Sequence, residues 1–253
     1  MRLLKVFALA TSLFAAGPVL AAGPALPPPD AGFSFNGLFG TIDRASAQRG
    51  FQVYKEVCSA CHAMRQLSYR NLMDLGLTEA QVRDIAATFT VTDGPNDEGQ
   101  MFERPGRVAD RFRRPFPNEQ AARAANNGAY PPDLSVLTKA RPDGANYLHA
   151  LLTGYIDPPA GVTVMDGMYY NAWFPGNQIA MPPVLNEDQV EYSDGTRATV
   201  DQMARDVSTF LAWAAEPEME VRRAMGVKVL IFLAILGGLV YATKRKIWAD
   251  VKH

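Results

Sequence analysis

The only two cysteines of the chain, Cys58 and Cys61, stand directly before His62, one of three histidines. Positions i, i+3 and i+4 share one face of a helical turn, so the three side chains project together. Two thiols on one face can form thioethers with the two vinyl groups of a haem, and the adjacent imidazole then reaches the iron. The pattern Cys-x-x-Cys-His is typical of this covalent c-type attachment, and it predicts one haem c.

Three other uses of the motif have different requirements. A thioredoxin-like redox pair also has Cys-x-x-Cys, but it belongs to a βαβ unit, which the sequence does not predict here. A zinc site needs a fourth ligand, and only His149 and His253 remain as histidines. A disulfide between Cys58 and Cys61 would close a very small loop and stabilise the fold little.

The second axial ligand of the iron is predicted to be Met181. Two prolines follow it, which favour an extended and stiff backbone at the methionine. Ligation by His and Met raises the reduction potential and suits electron transfer, whereas an open position would suit ligand binding. Met64 lies too near His62 in the chain, and Met203 is expected in the core. His149, between leucines on a predicted helix, is interpreted as a partly buried structural residue, with bis-histidine ligation as the alternative.

The N-terminus resembles a secretory signal peptide over residues 1–21. Arg2 and Lys5 precede an apolar run, and small residues at 19–21 fit a cleavage site. A short uncleaved anchor is the alternative. Export would place the mature chain in an oxidising compartment.

The C-terminus predicts a transmembrane anchor over residues 221–245. Lys228 is the only charged residue between Ala224 and Thr243, a run of about 20 residues, which spans a hydrocarbon core of roughly 30 Å. The basic cluster 244–246 follows, so residues 246–253 are predicted to form a cytoplasmic tail. A buried core helix is the alternative reading.

The net charge of −1 is unevenly distributed along the chain. Residues 22–220 hold 25 of the 26 acidic residues and 16 of the 25 Lys and Arg residues, which gives a charge of −9. This domain would attract a cationic partner, and its sign argues against nucleic acid.

The sequence between these termini predicts a mostly α fold with long ordered loops. Asp43 and Thr78 are suitable N-caps for helices over 44–57 and 78–89. Further helices are predicted over 118–128, 144–154 and 199–218, and long loops over 91–118 and 155–186. No run of alternating strands is apparent. The predicted fold is therefore mostly α with long ordered loops over residues 22–220, plus one C-terminal transmembrane helix.

Beyond single motifs, the chain contains a series of longer segments in a fixed order: RGFQVYKEVCSACH, LSYRNL, AARAANNGAYPPDLS, YLHALLTGY, GMYYNAWFPGNQIAMPP, DGTRAT, DVSTFLAWAAEPE and YATKRKIW. With these segments, over nearly all of the mature chain, it resembles the cytochrome c1 family, the membrane-anchored haem subunits of ubiquinol–cytochrome c reductase (cytochrome bc1) complexes. The resemblance implies a class I-like cytochrome c haem domain over residues 22–220.

The resemblance implies that His62 and Met181 are the axial ligands and that Arg141 lies near a haem propionate. It implies cytochrome b and a Rieske iron–sulfur protein as partners, and a c-type cytochrome as electron acceptor. The expected place is a bacterial inner membrane, crossed once, with the haem domain in the periplasm. The subunit would be part of a quinol–cytochrome c oxidoreductase without a bond-breaking site of its own.

Two departures from the family pattern affect these expectations. Some bacterial members carry a disulfide near the methionine, and this chain has no cysteines for one, so Met181 is expected to be held by packing alone. Acidic residues are scattered, as at Asp97 and Glu98, which leaves the docking surface open. The competing functions are a ligand-binding haem protein, a structural subunit of an oxidase, or the anchored cytochrome subunit of another periplasmic redox enzyme.

Overall fold

A computed structural model describes residues 27–251, so the predicted signal peptide, residues 1–21, lies outside the described residues. Helices dominate the described part of the chain. The α-helices are α1 (Arg44–Glu56), α2 (Glu79–Ala87), α3 (Glu119–Ala125), α4 (Gly144–Thr153), α5 (Val200–Ala215) and α6 (Met219–Ile247). Two 3₁₀ segments occupy Cys58–Ala60 and Tyr69–Leu75. The predicted mostly α architecture is confirmed.

The N-caps of the first helices are confirmed in atomic detail. The Asp43 carboxylate accepts a hydrogen bond from the Ser46 amide at 3.1 Å. The Thr78 hydroxyl accepts from the Gln81 amide, and the Gln81 side chain in turn accepts from the Thr78 amide, which makes a capping box.

The core is centred on α5, which packs against both α1 and α4. Gly50 of α1 permits the closest approach, because a Cβ there would lie 2.0 Å from the Asp206 carbonyl oxygen of α5. The fully buried Asp206 carboxylate accepts hydrogen bonds from Arg49 and Ser46, so this polar contact also ties α1 to α5. Met203 is fully buried in this core, as predicted.

Both segments that were predicted to be long loops contain a short antiparallel ribbon, which the sequence analysis did not predict. β1 (Thr90–Asp93) pairs antiparallel with β2 (Phe102–Pro105). β3 (Tyr169–Tyr170) pairs antiparallel with β4 (Gln178–Ile179). Each ribbon is too short to show an alternating pattern in the sequence, and backbone pairing stabilises it locally.

Helix α6 is the one described helix long and apolar enough to cross a membrane. Its mean hydropathy reaches 2.2 and none of that apolar window is buried against the rest of the chain. The alternative of a buried core helix is therefore wrong. The helix includes the whole of the predicted anchor, 221–245, and extends two residues further at each end.

Candidate haem site

The Cys-x-x-Cys-His motif forms a single helical turn directly after α1. The amides of Cys61 and His62 both donate to the Cys58 carbonyl oxygen, at 3.1 and 2.9 Å. This turn holds the motif in the i, i+3, i+4 relationship that the sequence predicts. Both thiols are free, with Cys58 partly buried and Cys61 exposed. Cys61 also lines a cavity together with Phe116 and Tyr130.

The imidazole of His62 is oriented by a carbonyl group far away in the sequence. Its Nδ1 lies 2.8 Å from the carbonyl oxygen of Pro132. A carbonyl oxygen can only accept, so Nδ1 carries the proton and Nε2 keeps its lone pair. The Tyr54 hydroxyl donates to the His62 carbonyl at 3.3 Å, which holds the backbone of the same residue.

Burial shifts the pKa values of His62 and Cys58, although both side chains remain partly accessible to solvent. Burial lowers the pKa of His62 below its ordinary value, partly offset by the Pro132 hydrogen bond and the charge of Asp133. Burial raises the pKa of Cys58 to about 12. Both side chains nevertheless stay partly accessible. A neutral imidazole with two free thiols fits a covalently held haem.

Met181 lies on an ordered segment just after β4. The Tyr155 hydroxyl donates to the Met181 carbonyl oxygen at 3.0 Å. The backbone of the methionine is therefore held by a long-range hydrogen bond, so the expectation that packing alone holds it is wrong. Burial raises the pKa of Tyr155, which keeps this phenol protonated as the donor.

Arg141 is exposed at the start of the segment that leads into α4. Its guanidinium donates to the Ala140 carbonyl at 3.2 Å. Burial raises the pKa of Tyr147, and the positive charge of Arg141 opposes this rise. The positive charge therefore lies near Tyr147 of α4, the helix that precedes Tyr155.

The site residues form two groups, one next to α1 and one next to α4. Cys58, Cys61 and His62 follow α1, whereas Arg141 and Met181 are held around α4, the latter through Tyr155. Since α5 packs on both α1 and α4, it fixes the two groups relative to each other.

The alternatives for the motif lack structural support. No cluster of three or more His, Cys, Asp or Glu side chains suited to a metal occurs within residues 27–251. The two described ribbons are antiparallel hairpins, so they form no βαβ unit. His149 is nearly buried, with Nε2 2.9 Å from an Asp201 carboxylate oxygen and Phe33 edge-on to its ring. Its interpretation as a satisfied structural histidine is confirmed.

Pro132, Tyr147 and Tyr155 are the residues that sequence reasoning did not assign to the site. The Pro132 contribution comes from a backbone carbonyl, which leaves no side-chain signal. The two tyrosines lie eight residues apart, one on α4 and one just after it, so their sequence spacing does not show that they cooperate.

Comparison with known proteins gives a consistent result. The family model "Cytochrome C1 family" matches residues 33–251. Mitochondrial cytochrome c1 1, heme protein, of Arabidopsis thaliana is 52% identical, over 88% of this chain and 73% of that protein. Cytochrome c1 of Rhodospirillum rubrum is 46% identical, over 96% of this chain and 97% of its own length. The mitochondrial cytochrome b-c1 complex catalytic subunit of Candida albicans is 50% identical, over 92% and 81%.

Proposed function

The chain belongs to the cytochrome c1 family, and on that premise we propose that it takes single electrons from a Rieske iron–sulfur protein and passes them to a c-type cytochrome. Electron transfer within a cytochrome b–c1 complex is the role of the family. Beyond this role, we propose the direction of electron transfer and the chemical class of the acceptor. The subunit breaks no substrate bond in this scheme.

In the proposed site, Cys58 and Cys61 would hold the haem covalently, and His62 and Met181 would supply the two protein ligands of its iron. When bound, the haem supplies one-electron chemistry at its iron. The chain's own residues set the conditions for it. Pro132 keeps the Nδ1 proton of His62 in place, so Nε2 keeps a lone pair with which it would bind the iron. Tyr155 holds the Met181 backbone, and Arg141 supplies positive charge for a propionate.

Charge supports a cationic c-type cytochrome as the acceptor. Residues 22–220 carry −9 by sequence, and Asp97, Glu98 and Glu103 are exposed on the β1–β2 hairpin. Asp93 in the same hairpin is paired with Arg104, so it contributes less to the field. Such a field speeds the approach of a positive partner and is screened by salt.

Membership of the complex implies cytochrome b and the Rieske protein as neighbouring subunits. Helix α6, the one candidate membrane span among residues 27–251, serves as the membrane anchor in this proposal. We further propose that the membrane is a bacterial inner membrane with the haem domain on the periplasmic side. The predicted signal peptide at 1–21 and the basic cluster 244–246 after the apolar run support this orientation.

The observation that carries the proposal is the His62–Pro132 hydrogen bond, because it prepares an imidazole for ligation directly beside two free thiols. The test is the absorption spectrum of the purified chain, oxidised and reduced. We expect a c-type spectrum that survives denaturation and extraction, with the weak red band of methionine–iron bonding in the oxidised form. Loss of the haem to acidic acetone, or ready binding of carbon monoxide to the reduced protein, would contradict it.

A further inference from the structure

A protruding loop, residues 34–41, carries two large apolar side chains at its tip. Leu38 is 64% exposed and Phe39 is 81% exposed. The ends of the loop are closed by two hydrogen bonds, from the Thr41 amide to the Ser34 carbonyl at 3.2 Å and from the Ser34 hydroxyl to the Thr41 carbonyl at 2.8 Å. The exposed tip therefore stands on an ordered base.

Gly40 is required for the tight shape of this loop. A Cβ at Gly40 would lie 2.3 Å from the Asn36 carbonyl oxygen and 2.4 Å from the Phe35 carbonyl carbon. No side chain fits such a space without moving the backbone. The conformation that presents Leu38 and Phe39 is thus built into the sequence.

The loop is fixed to the beginning of the membrane helix. Arg223 of α6 donates from Nη1 to the carbonyl oxygens of Phe35 and Gly40, at 2.9 and 2.8 Å. These two acceptors flank the tip on both sides. Because Arg223 directly precedes the apolar run that starts at Ala224, the loop is held at the edge of the membrane-spanning segment.

A second contact, one turn earlier in α6, supports the same attachment. Glu220 accepts two hydrogen bonds from Arg44, at 2.9 and 3.0 Å, and one from the Ile42 amide at 2.7 Å. Positions 220 and 223 lie on neighbouring points of one helix face. Two attachment points on one face restrict rotation of the loop about the helix axis.

The same face of α6 is partly covered beyond Arg223. Val227, four residues further on, is half-buried, whereas every other described residue from 224 to 251 is exposed. Residues at i and i+4 lie above one another on a helix. The partial cover on this face therefore extends one turn past Arg223, into the beginning of the apolar run.

We propose that the Leu38–Phe39 tip inserts into the interfacial layer of the lipid bilayer, as a second membrane contact beside the spanning helix. Lipid is the occupant that this position favours, because the tip is bonded at the level where the chain leaves water. Removal of Leu and Phe from water is favourable, and aromatic rings are common at this depth. A second contact would limit the tilt of the haem domain relative to the membrane, which a single helix leaves free.

The inference rests on α6 being the membrane anchor, and the experiment separates the two claims. Photoreactive p-benzoyl-L-phenylalanine replaces Phe39 in the full chain, in membranes that hold the assembled complex. The matched control replaces Phe102, an exposed phenylalanine of β2. A positive control replaces Ile235, an exposed residue within the apolar run of α6. Haem staining verifies that each variant is folded, and mass spectrometry of the labelled peptides identifies what each position has captured.

We expect lipid adducts at positions 39 and 235, with the yield at 39 several-fold above that at 102. Lipid at 235 without lipid at 39 would overturn the inference and leave the anchor intact. An adduct of position 39 to another polypeptide would also overturn it, because the tip would then be a subunit contact. Equal lipid yields at 39 and 102 would show collisional labelling and would overturn it as well. Absence of lipid adducts at position 235 would contradict both the assignment of α6 as the membrane anchor and the inference that rests on it.

Discussion

His62 and Pro132 are joined by a hydrogen bond of 2.8 Å between Nδ1 and the carbonyl oxygen, although 70 residues separate them in the chain. Asp133 holds the loop that carries this carbonyl. Its carboxylate accepts from the Arg65 amide and side chain, at 2.9 and 3.0 Å, and from the Ser135 amide at 3.0 Å. The loop and the motif therefore hold each other in position.

Replacement of Asp133 by Asn should loosen this arrangement. The carboxylate is largely buried, and loss of hydrogen bonds to a charged group costs about 1.5–3 kcal/mol. We expect a lower free energy of unfolding in urea and incomplete haem incorporation. Asp157→Asn, at an exposed position, is the control and should behave like the parent chain. Full haem content and unchanged stability in Asp133→Asn would show that Pro132 is positioned by other contacts.

Each cysteine of the motif should be needed for one covalent bond to the haem. Cys58→Ser and Cys61→Ser should each reduce haem staining after denaturing electrophoresis, and the double variant should abolish it. Ser59→Ala lies between the two thiols and should retain the stain. A stained double variant would rule out thioether attachment at this site.

The sequence predicted the helical frame well because local signals determine it. Asp43 and Thr78 cap their helices as expected, and the apolar face of α5 is buried. The same local reasoning missed β1 and β2. Their pairing joins residues across an eight-residue connection, so it depends on backbone contacts that a four-residue pattern does not reveal.

The sequence predicted the side chains of the site but not the groups that hold them in position. Cys58, Cys61, His62 and Met181 have recognisable types and spacing. The Pro132 carbonyl belongs to the backbone, so neither residue type nor spacing identifies it. Tyr155 reaches Met181 because the fold brings the end of α4 close to the end of β4. Backbone acceptors and long-range partners are set by the tertiary fold, so spacing along the chain does not identify them.

Met181→Leu should lower the reduction potential, because a thioether ligand favours ferrous iron. Leucine keeps a similar volume, so the loop should stay folded. Redox titration and the red band of the oxidised form give the readout. Met165→Leu, at an exposed position of the preceding loop, should change neither. An unchanged reduction potential in the Met181 variant would mean that another residue is the iron ligand.

The Arg104–Asp110 pair predicts a defined dependence of stability on pH. Hydrogen bonds from Arg104 lower the pKa of Asp110, and the two groups pair at 2.6 and 3.0 Å. A carboxyl whose pKa is lowered on folding stabilises the fold above its unfolded pKa, about 3.9, and loses that effect as pH falls through the lower folded value.

Asp110→Asn should therefore destabilise the chain at pH 7 by on the order of 0.5–1 kcal/mol, and by less at pH 3, because the carboxyl of the unfolded parent chain is largely protonated below its pKa of about 3.9. Urea unfolding of both chains at the two pH values measures the difference. Glu79→Gln, in an exposed pair with Arg83, should show a smaller effect at pH 7. A difference that is constant with pH would mean that the charge of Asp110 is not what stabilises the hairpin.

The last prediction concerns where the chain can be cut to release the haem domain. The beginning of α6 belongs structurally to this domain, because Met219 is buried, Glu220 bonds Arg44, and Arg223 bonds the loop around Gly40. A chain that ends after Arg223 keeps all of these contacts and loses only the apolar run and the tail that follows it. It should appear in the soluble fraction with its haem spectrum unchanged.

A chain that ends after Glu218 should be released as well but be less stable, by about 2–4 kcal/mol, because it loses the burial of Met219 and the bonds of Glu220 and Arg223. Comparison of the two by urea unfolding tests this difference, and equal stability would show that the beginning of α6 contributes nothing to the domain. For the longer chain, the rate of electron exchange with a cationic cytochrome should fall as salt rises, since the Debye length is only about 8 Å at physiological ionic strength. A rate independent of salt would mean that apolar contacts, rather than the acidic charge of the domain, govern docking.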